Sequence, residues 1–178
     1  MERMFRLLRE DEIEVKVKQV RENGAVLLLY KTARTDMDLL DETVGPFRWT
    51  CEYKEIKGNL YCGIGVCPEG TSDTVYAVWK WDCGIESRSD GEGNEKKGEA
   101  SDAFKRAGFR WGIGRELYTA PFIWIPPDKM KIANKNGKFS TYDKFAVEKI
   151  AYNENGEISG LAIRNVTRDA RCFVWQRT

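Results

Sequence analysis

Histidine is absent from the 178 residues. That gap removes Ser–His and Cys–His nucleophilic pairs, imidazole-ligated metals and the usual general base near neutral pH. Net charge is almost absent as well, because 29 Lys and Arg offset 28 Asp and Glu to leave +1. Affinity for a polyanion therefore cannot rest on bulk electrostatics, and any basic surface has to be local. The five cysteines, Cys51, Cys62, Cys67, Cys83 and Cys172, are odd in number and form no Cys-x-x-Cys pair. This argues against a disulfide framework or a zinc knuckle and for buried thiols. No stretch approaches the ~20 apolar residues of a membrane span. The opening Met-Glu-Arg-Met-Phe-Arg lacks the apolar region of an export signal, so the expected location is the cytoplasm or nucleoid. Carboxylate chemistry stays open, since Asp and Glu alone can hold magnesium.

What remains reads as one α+β domain over 1–178, with no internal repeat and no low-complexity tail. Residues 2–22 carry Phe5, Leu7, Leu8, Ile13, Val15, Val17 and Val20, first at helical spacing and then in alternation, which predicts a short helix leading into a strand. Ala25 to Tyr30 is an apolar run. Met37, Leu40 and Val44 then repeat at helical spacing, with Thr35 or Asp36 as N-cap and Gly45-Pro46 as the stop. From Phe47 to Trp81 the pattern predicts an antiparallel β-meander: Trp49, Cys51 and Tyr53 alternate, Lys57-Gly58-Asn59 turns, and Leu60–Val66 and Thr74–Trp81 follow. A polar, glycine-bearing loop over 86–98 runs into a helix that ends near Trp111. Beyond it, Phe145–Tyr152, Ile158–Val166 and Arg171–Gln176 read as strands, a C-terminal β-hairpin layer added to a meander packed against helices.

The helix ending near Trp111 carries the most information. At 100° per residue Ala100, Ala103, Phe104, Ala107, Gly108 and Trp111 make one apolar stripe, which is the core face. Lys105 and Arg106 lie on the other side with Phe109 between them in angle, and Arg110 sits one turn past Arg106. Cations around an outward aromatic suit a single nucleic-acid strand. Lys and Arg neutralise phosphates, and a ring stacked on a base contributes about 1–3 kcal/mol. The same residues also fit a solvated face paired with Glu99 and Asp102, with Phe109 filling a sheet or subunit contact. Lys31 with Arg34 forms a second basic group at the entry to the helix that ends at Gly45, and Arg48 follows that helix. Lys96 and Lys97 open the central helix, where cations oppose the helix dipole unless an anion compensates.

The segment Glu99-Ala-Ser-Asp-Ala-Phe-Lys-Arg-Ala-Gly-Phe-Arg-Trp-Gly112, preceded by Asp82-Cys-Gly-Ile-Glu86, resembles the signature of the single-strand annealing proteins of the Rad-fifty-two type and their bacteriophage relatives. The order of elements agrees over about residues 30–125: a helix with an early basic residue, a β-meander, a glycine-bearing strand end, a polar loop, and a helix with Ser/Thr-Asp-x-x-Lys-Arg-Ala closing on aromatic-Gly. The sharpest part is about fourteen residues long. The resemblance implies an oligomeric ring or filament that binds single-stranded DNA in a basic groove, leaves the bases exposed for pairing, and uses no nucleotide cofactor; no metal site is expected. Recombination and repair would be its setting, with a single-strand binding protein or an exonuclease as partner. By that likeness Lys105 and Arg106 would line the groove, Arg34 would add a phosphate contact, and Arg110, Phe109, Lys31 and Lys97 complete the candidate set. One departure stands out: the family pattern often has a basic residue where this chain has Phe109, with Arg110 one step later.

Two other readings compete. The aromatic meander, with Trp49, Tyr53, Tyr61, Tyr76, Trp79 and Trp81, fits a passive module that coats single strands or protects their ends. Asp82, Glu86 and Asp102 flank the basic helix and would serve a metal-dependent nuclease. Gly63-x-Gly65 and Gly112-x-Gly114 fall short of the full glycine fingerprint of a dinucleotide site.

Overall fold

The computed structural model describes residues 3–67, 77–85 and 95–178, with the backbone alone at 95–97. In chain order its elements are β1 (Glu14–Arg21), β2 (Gly24–Tyr30), α1 (Ala33–Val44), β3 (Trp49–Ile56), β4 (Asn59–Val66), β5 (Val78–Cys83), α2 (Glu95–Trp111), β6 (Ile123–Ile125), β7 (Ala133–Lys135), β8 (Lys138–Ser140), β9 (Phe145–Tyr152), β10 (Ile158–Asn165) and β11 (Ala170–Gln176). The class is α+β. Contacts divide the chain into two compact units, Met1–Arg6 with Lys31–Gly114, and Leu7–Tyr30 with Arg115–Thr178.

The first unit holds α1, the sheet β3-β4-β5 and α2. Helix α1 starts earlier than its sequence suggests. The Thr32 hydroxyl accepts the Thr35 N–H at 3.1 Å and caps the helix, which moves the cap from the expected Thr35 or Asp36. Gly45, at φ 88°, ends it as expected. Leu39, Leu40 and Val44 are buried, whereas Met37 is exposed, because the inward face is completed by Thr35 and Asp36 instead. Strands β3 and β4 pair without a slip from Trp49↔Val66 to Ile56↔Asn59. Lys57 and Gly58 both take positive φ there, as a tight hairpin turn requires. The alternation of β4 then assigns the two sheet faces. Cys62, Ile64 and Val66 are buried on the side where α2 packs, and the Trp111 indole N–H donates to the Ile64 carbonyl at 2.9 Å. Gly63 and Gly65 face the other way, directly under the Trp81 and Trp79 indoles, which stack with centroids 5.6 Å apart. The predicted strand from Thr74 appears from Val78 onward, and residues 74–76 fall outside the described residues.

The second unit is a six-stranded antiparallel sheet in the order β11-β10-β9-β1-β2-β6, plus the small hairpin β7-β8. The three C-terminal strands lie where the alternation put them, and the N-terminal hairpin β1-β2 extends their sheet. Edge strands β6 and β11 also touch, so the sheet curls. Its core includes Ala25 and Leu27 from β2, Ile123 and Ile125 from β6, and Ile158, Leu161 and Ile163 from β10. The helix expected within 2–22 is a single 3₁₀ turn at Glu10–Glu12. Among the described residues no helix is long and apolar enough to cross a membrane.

Candidate nucleic-acid interface

Helix α2 is anchored by the stripe that its periodicity predicts. Ala103, Phe104 and Ala107 are wholly buried, and the Phe104 ring meets Trp49 edge-on at 6.0 Å between centroids. Its start is tied to the strand ends by two carboxylates: Glu99 accepts the Leu60 N–H at 3.3 Å and Asp102 accepts the Ile85 N–H at 3.1 Å. Gly84 makes that closeness sterically feasible, since a Cβ there would collide with the Glu99 carbonyl oxygen and sit 3.0 Å from the Ala103 nitrogen.

This anchoring turns Lys105, Arg106 and Arg110 to the other side of α2, where each meets a carboxylate. Lys105 Nζ lies 3.7 Å from Asp102 Oδ1, one helical turn back. Asp82, on β5, serves both arginines: Arg110 Nε donates to its Oδ2 at 3.0 Å, and Arg106 Nε stands 3.5 Å from its Oδ1. The second pair is held by charge rather than by a hydrogen bond. Burial alone would raise the Asp82 pKa. The Arg110 hydrogen bond, the Cys83 N–H and the charges of both arginines outweigh it and hold the carboxyl below its usual value. Among the described residues three cations stand against two carboxylates on this face, and the Arg110 side chain keeps 60% of its exposure. Arg110 and Arg106 stay open to solvent at 60% and 39% of their side chains although Asp82 keeps only 14%, so solvent partly screens these pairs and a phosphate can compete for the cations.

Lys31 is elsewhere. Its sequence position suggests a surface cation, but only 2% of it is exposed, and its ammonium lies 2.5 and 2.6 Å from the two oxygens of fully buried Asp36. The same ammonium donates to the Lys105 carbonyl at 3.1 Å and sits 4.1 Å from the centroid of the Phe109 ring. Phe109 is thus half-buried over an interior ion pair, rather than standing free between cations. Burial pushes the Asp36 pKa up to about 7, against the opposing pull of Lys31's charge and hydrogen bond and of Lys105's charge. Arg34 is exposed on the first turn of α1, and no contact among the described residues links it to the α2 cations. The side chain of Lys97, like Glu86, lies outside the described residues.

Lys80 joins the cluster from outside the residues that the sequence singles out. Its Nζ lies 4.2 Å from the Trp111 ring centroid and donates to the Arg110 carbonyl at 3.2 Å, which extends the positive face to the end of α2. The signal was present in the alternation of β5, where Lys80 and Asp82 share the face opposite Trp79 and Trp81. Asp82 and Asp102, which a nuclease would need for metal, are each turned toward cations of α2. Among the described residues no group of three metal-capable side chains comes together.

Against known proteins, the chain is 34% identical over 101 residues to the single-stranded DNA-binding protein DdrA of Deinococcus deserti, a likeness of distant homology. The matched stretch is 57% of this chain and 46% of DdrA, about half the relative's length. No protein-family model matches the chain. No solved structure matches it significantly.

Proposed function

We propose that this chain binds single-stranded DNA along the outer face of α2 and speeds the pairing of complementary strands without ATP, as an oligomeric ring or filament. One observation carries the reading: Lys105, Arg106 and Arg110 project together from a helix whose opposite face is buried, the two arginines sharing the single carboxylate of Asp82. The distant likeness to a protein named for single-stranded DNA binding supports the choice of ligand. A strand entering this face exchanges Asp82 and Asp102 for its own phosphates, so the guanidiniums are already oriented when it arrives. Repetition of the face from subunit to subunit lets a near-neutral chain offer a continuous basic track. Arg34 adds a phosphate contact from α1. DNA recombination and repair, with a single-strand binding protein or an exonuclease as partner, is the setting this chemistry fits.

Lys105→Ala combined with Arg106→Ala is the direct test. Affinity for an oligothymidylate and the rate of annealing of two complementary oligonucleotides should both drop by more than tenfold. Unchanged values would sink the proposal. The stacked Trp79 and Trp81 indoles support a second reading, a passive coat that stacks bases. The two separate on one measurement, because a coat binds a strand and slows its annealing.

A further inference from the structure

The second unit carries a basic surface to which α2 contributes nothing. Residues 126–144, all of them described, hold five lysines against two aspartates, whereas the whole chain nets only +1, so the remainder of the chain is net acidic. Lys129, Lys131, Lys135, Lys138 and Lys144 are exposed, as is Arg168. Among the described residues none of these six cations forms an ion pair. One of the two aspartates, Asp143, is buried and turned inward.

Four of the cations are gathered around one buried node. The amide of wholly buried Asn165 donates to Asp143 Oδ2 at 2.7 Å and to the Lys129 carbonyl at 3.2 Å. Asp143 Oδ2 also accepts the Lys131 N–H at 2.8 Å, and the Arg168 N–H donates to Asn165 Oδ1 at 3.2 Å. Lys144 follows Asp143 directly, its N–H donating to the Thr167 hydroxyl at 3.0 Å and its carbonyl accepting the Val166 N–H at 2.7 Å. The backbone beneath these side chains is therefore fixed while their charged heads stay in solvent. The other two lysines stand at the tip of the β7-β8 hairpin, where Lys135 pairs with Lys138 directly across the ladder. Like charges in that position destabilise a hairpin, and an anion bound between them relieves the repulsion. Tyr142, next to Asp143 in the chain, keeps 87% of its exposure and offers a ring face for stacking.

We infer that this surface holds a single nucleic-acid strand, its phosphates on the lysines and Arg168 and a base on Tyr142. Lysine suits that use, because an ammonium on a flexible stem follows a mobile backbone without a fixed fork geometry. The exposed ring favours a single strand over a duplex, whose bases are already stacked on one another. The surface belongs to the second unit and α2 to the first, so the inference does not depend on the α2 reading. Where both hold, one chain grips two stretches of strand, as the pairing of two strands requires.

The test follows the anisotropy of a fluorescein-labelled oligothymidylate with the full chain, with its Lys135→Ala, Lys138→Ala, Lys144→Ala triple variant, with Tyr142→Ala, and with each of these joined to Lys105→Ala and Arg106→Ala. All three lysines are exposed, so their replacement leaves the fold intact. In either background the triple variant should bind roughly tenfold more weakly or worse, with a log–log salt slope flatter by about 2 for three lost phosphate contacts. Tyr142→Ala should lower strand affinity by roughly fivefold or more and leave that of a duplex with equal phosphate number unchanged. Strand affinity that is unchanged in the triple variant overturns the site, whatever the α2 substitutions do. A loss as large for the duplex as for the strand, with Tyr142→Ala silent, overturns the single-strand assignment in favour of a duplex. Displacement of the strand by poly-glutamate at equal charge concentration makes the surface an acidic-peptide site and overturns the assignment too. If the α2 substitutions change nothing while the triple variant loses the strand, this site stands and the α2 reading falls.

Discussion

Gly108 and Asp36 share one space. A Cβ on Gly108 would overlap the Asp36 carboxylate and sit 3.0 Å from the Lys31 ammonium, so the close approach of α2 to α1 depends on the missing side chain. Gly108→Ala gains ~1 kcal/mol of helix propensity but forces a pinned, buried ion pair to move, and overpacking of that kind costs ~1–3 kcal/mol. Net destabilisation of up to about 2 kcal/mol is expected from these opposing terms. Urea denaturation would read it as a lower midpoint at an unchanged slope. A midpoint equal to or above that of the wild type would mean that α2 has room to shift.

The buried pair also gives stability a pH dependence of definite sign. Asp36 titrates at about 7 in the folded chain against an ordinary value of 3.8, so between these limits the folded state holds more of a proton than the unfolded state. Stability from this group is complete below about 4 and is lost as pH rises toward 7. Asp82, depressed by its arginines, acts in the opposite sense and in a different window, losing its contribution only as pH falls below the ordinary carboxylate range. Replacing the pair together, Lys31→Met with Asp36→Leu, avoids leaving one buried charge alone. The unfolding free energy of the wild type minus that of the double variant should decline from pH 4 to pH 7 and level off above. A flat difference would show that Asp36 is ionised throughout.

Most of the secondary structure was legible because local rules and tertiary packing agree. The stripe Ala103, Phe104 and Ala107 is buried as its period demands, and the Lys57-Gly58 turn adopts the backbone that its glycine invites. Failures came where a residue has two good uses. Thr35 and Asp36 are both strong N-caps, but Asp36 is drawn inward by Lys31, and Thr32 caps in their place. The pairing of β1 with β9 has no local signature, since Glu14 and Ala146 meet across most of the chain. The hairpin β7-β8 was missed even though Asn136-Gly137 marks its turn, because three-residue strands are too short to show alternation. At the candidate site the cations of α2 were readable from helical angle. The burial of Lys31 was not, because a lysine five residues before an aspartate reads as surface charge until the glycine facing both is known. That Gly108 lies on the buried stripe was the available hint.

The glycines of β4 lead to a prediction on the sheet. Gly63 has no room for a Cβ because the Trp81 indole lies flat on it, and Lys54 sits 4.3 Å from the centroid of that ring. Gly63→Ala should destabilise by about 1–3 kcal/mol, and Trp81→Ala by a similar amount through lost cross-strand packing. In the double variant the alanine no longer meets a ring, so the two losses should fall short of additivity by about 1 kcal/mol or more. Strict additivity, measured by equilibrium denaturation of the four proteins, would show that the ring does not rest on position 63.

Asp82 decides how the proposed strand face works. It stands 3.0 Å from Arg110 and 3.5 Å from Arg106, so it both orients the guanidiniums and occupies the place of a phosphate. These roles predict opposite outcomes for Asp82→Asn, which keeps the shape and removes the charge. An asparagine oxygen can still accept the Arg110 N–H and so keeps most of the orientation, whereas one unit of charge removed within about 4 Å of two arginines strengthens every phosphate contact they make. Affinity for an oligothymidylate should therefore rise several-fold at low salt. If the freed charge recruits one further phosphate, the log–log salt slope should steepen by about 0.7. Weaker binding with an unchanged slope would assign Asp82 the orienting role, and the arginines would then depend on their carboxylate to present themselves to the strand.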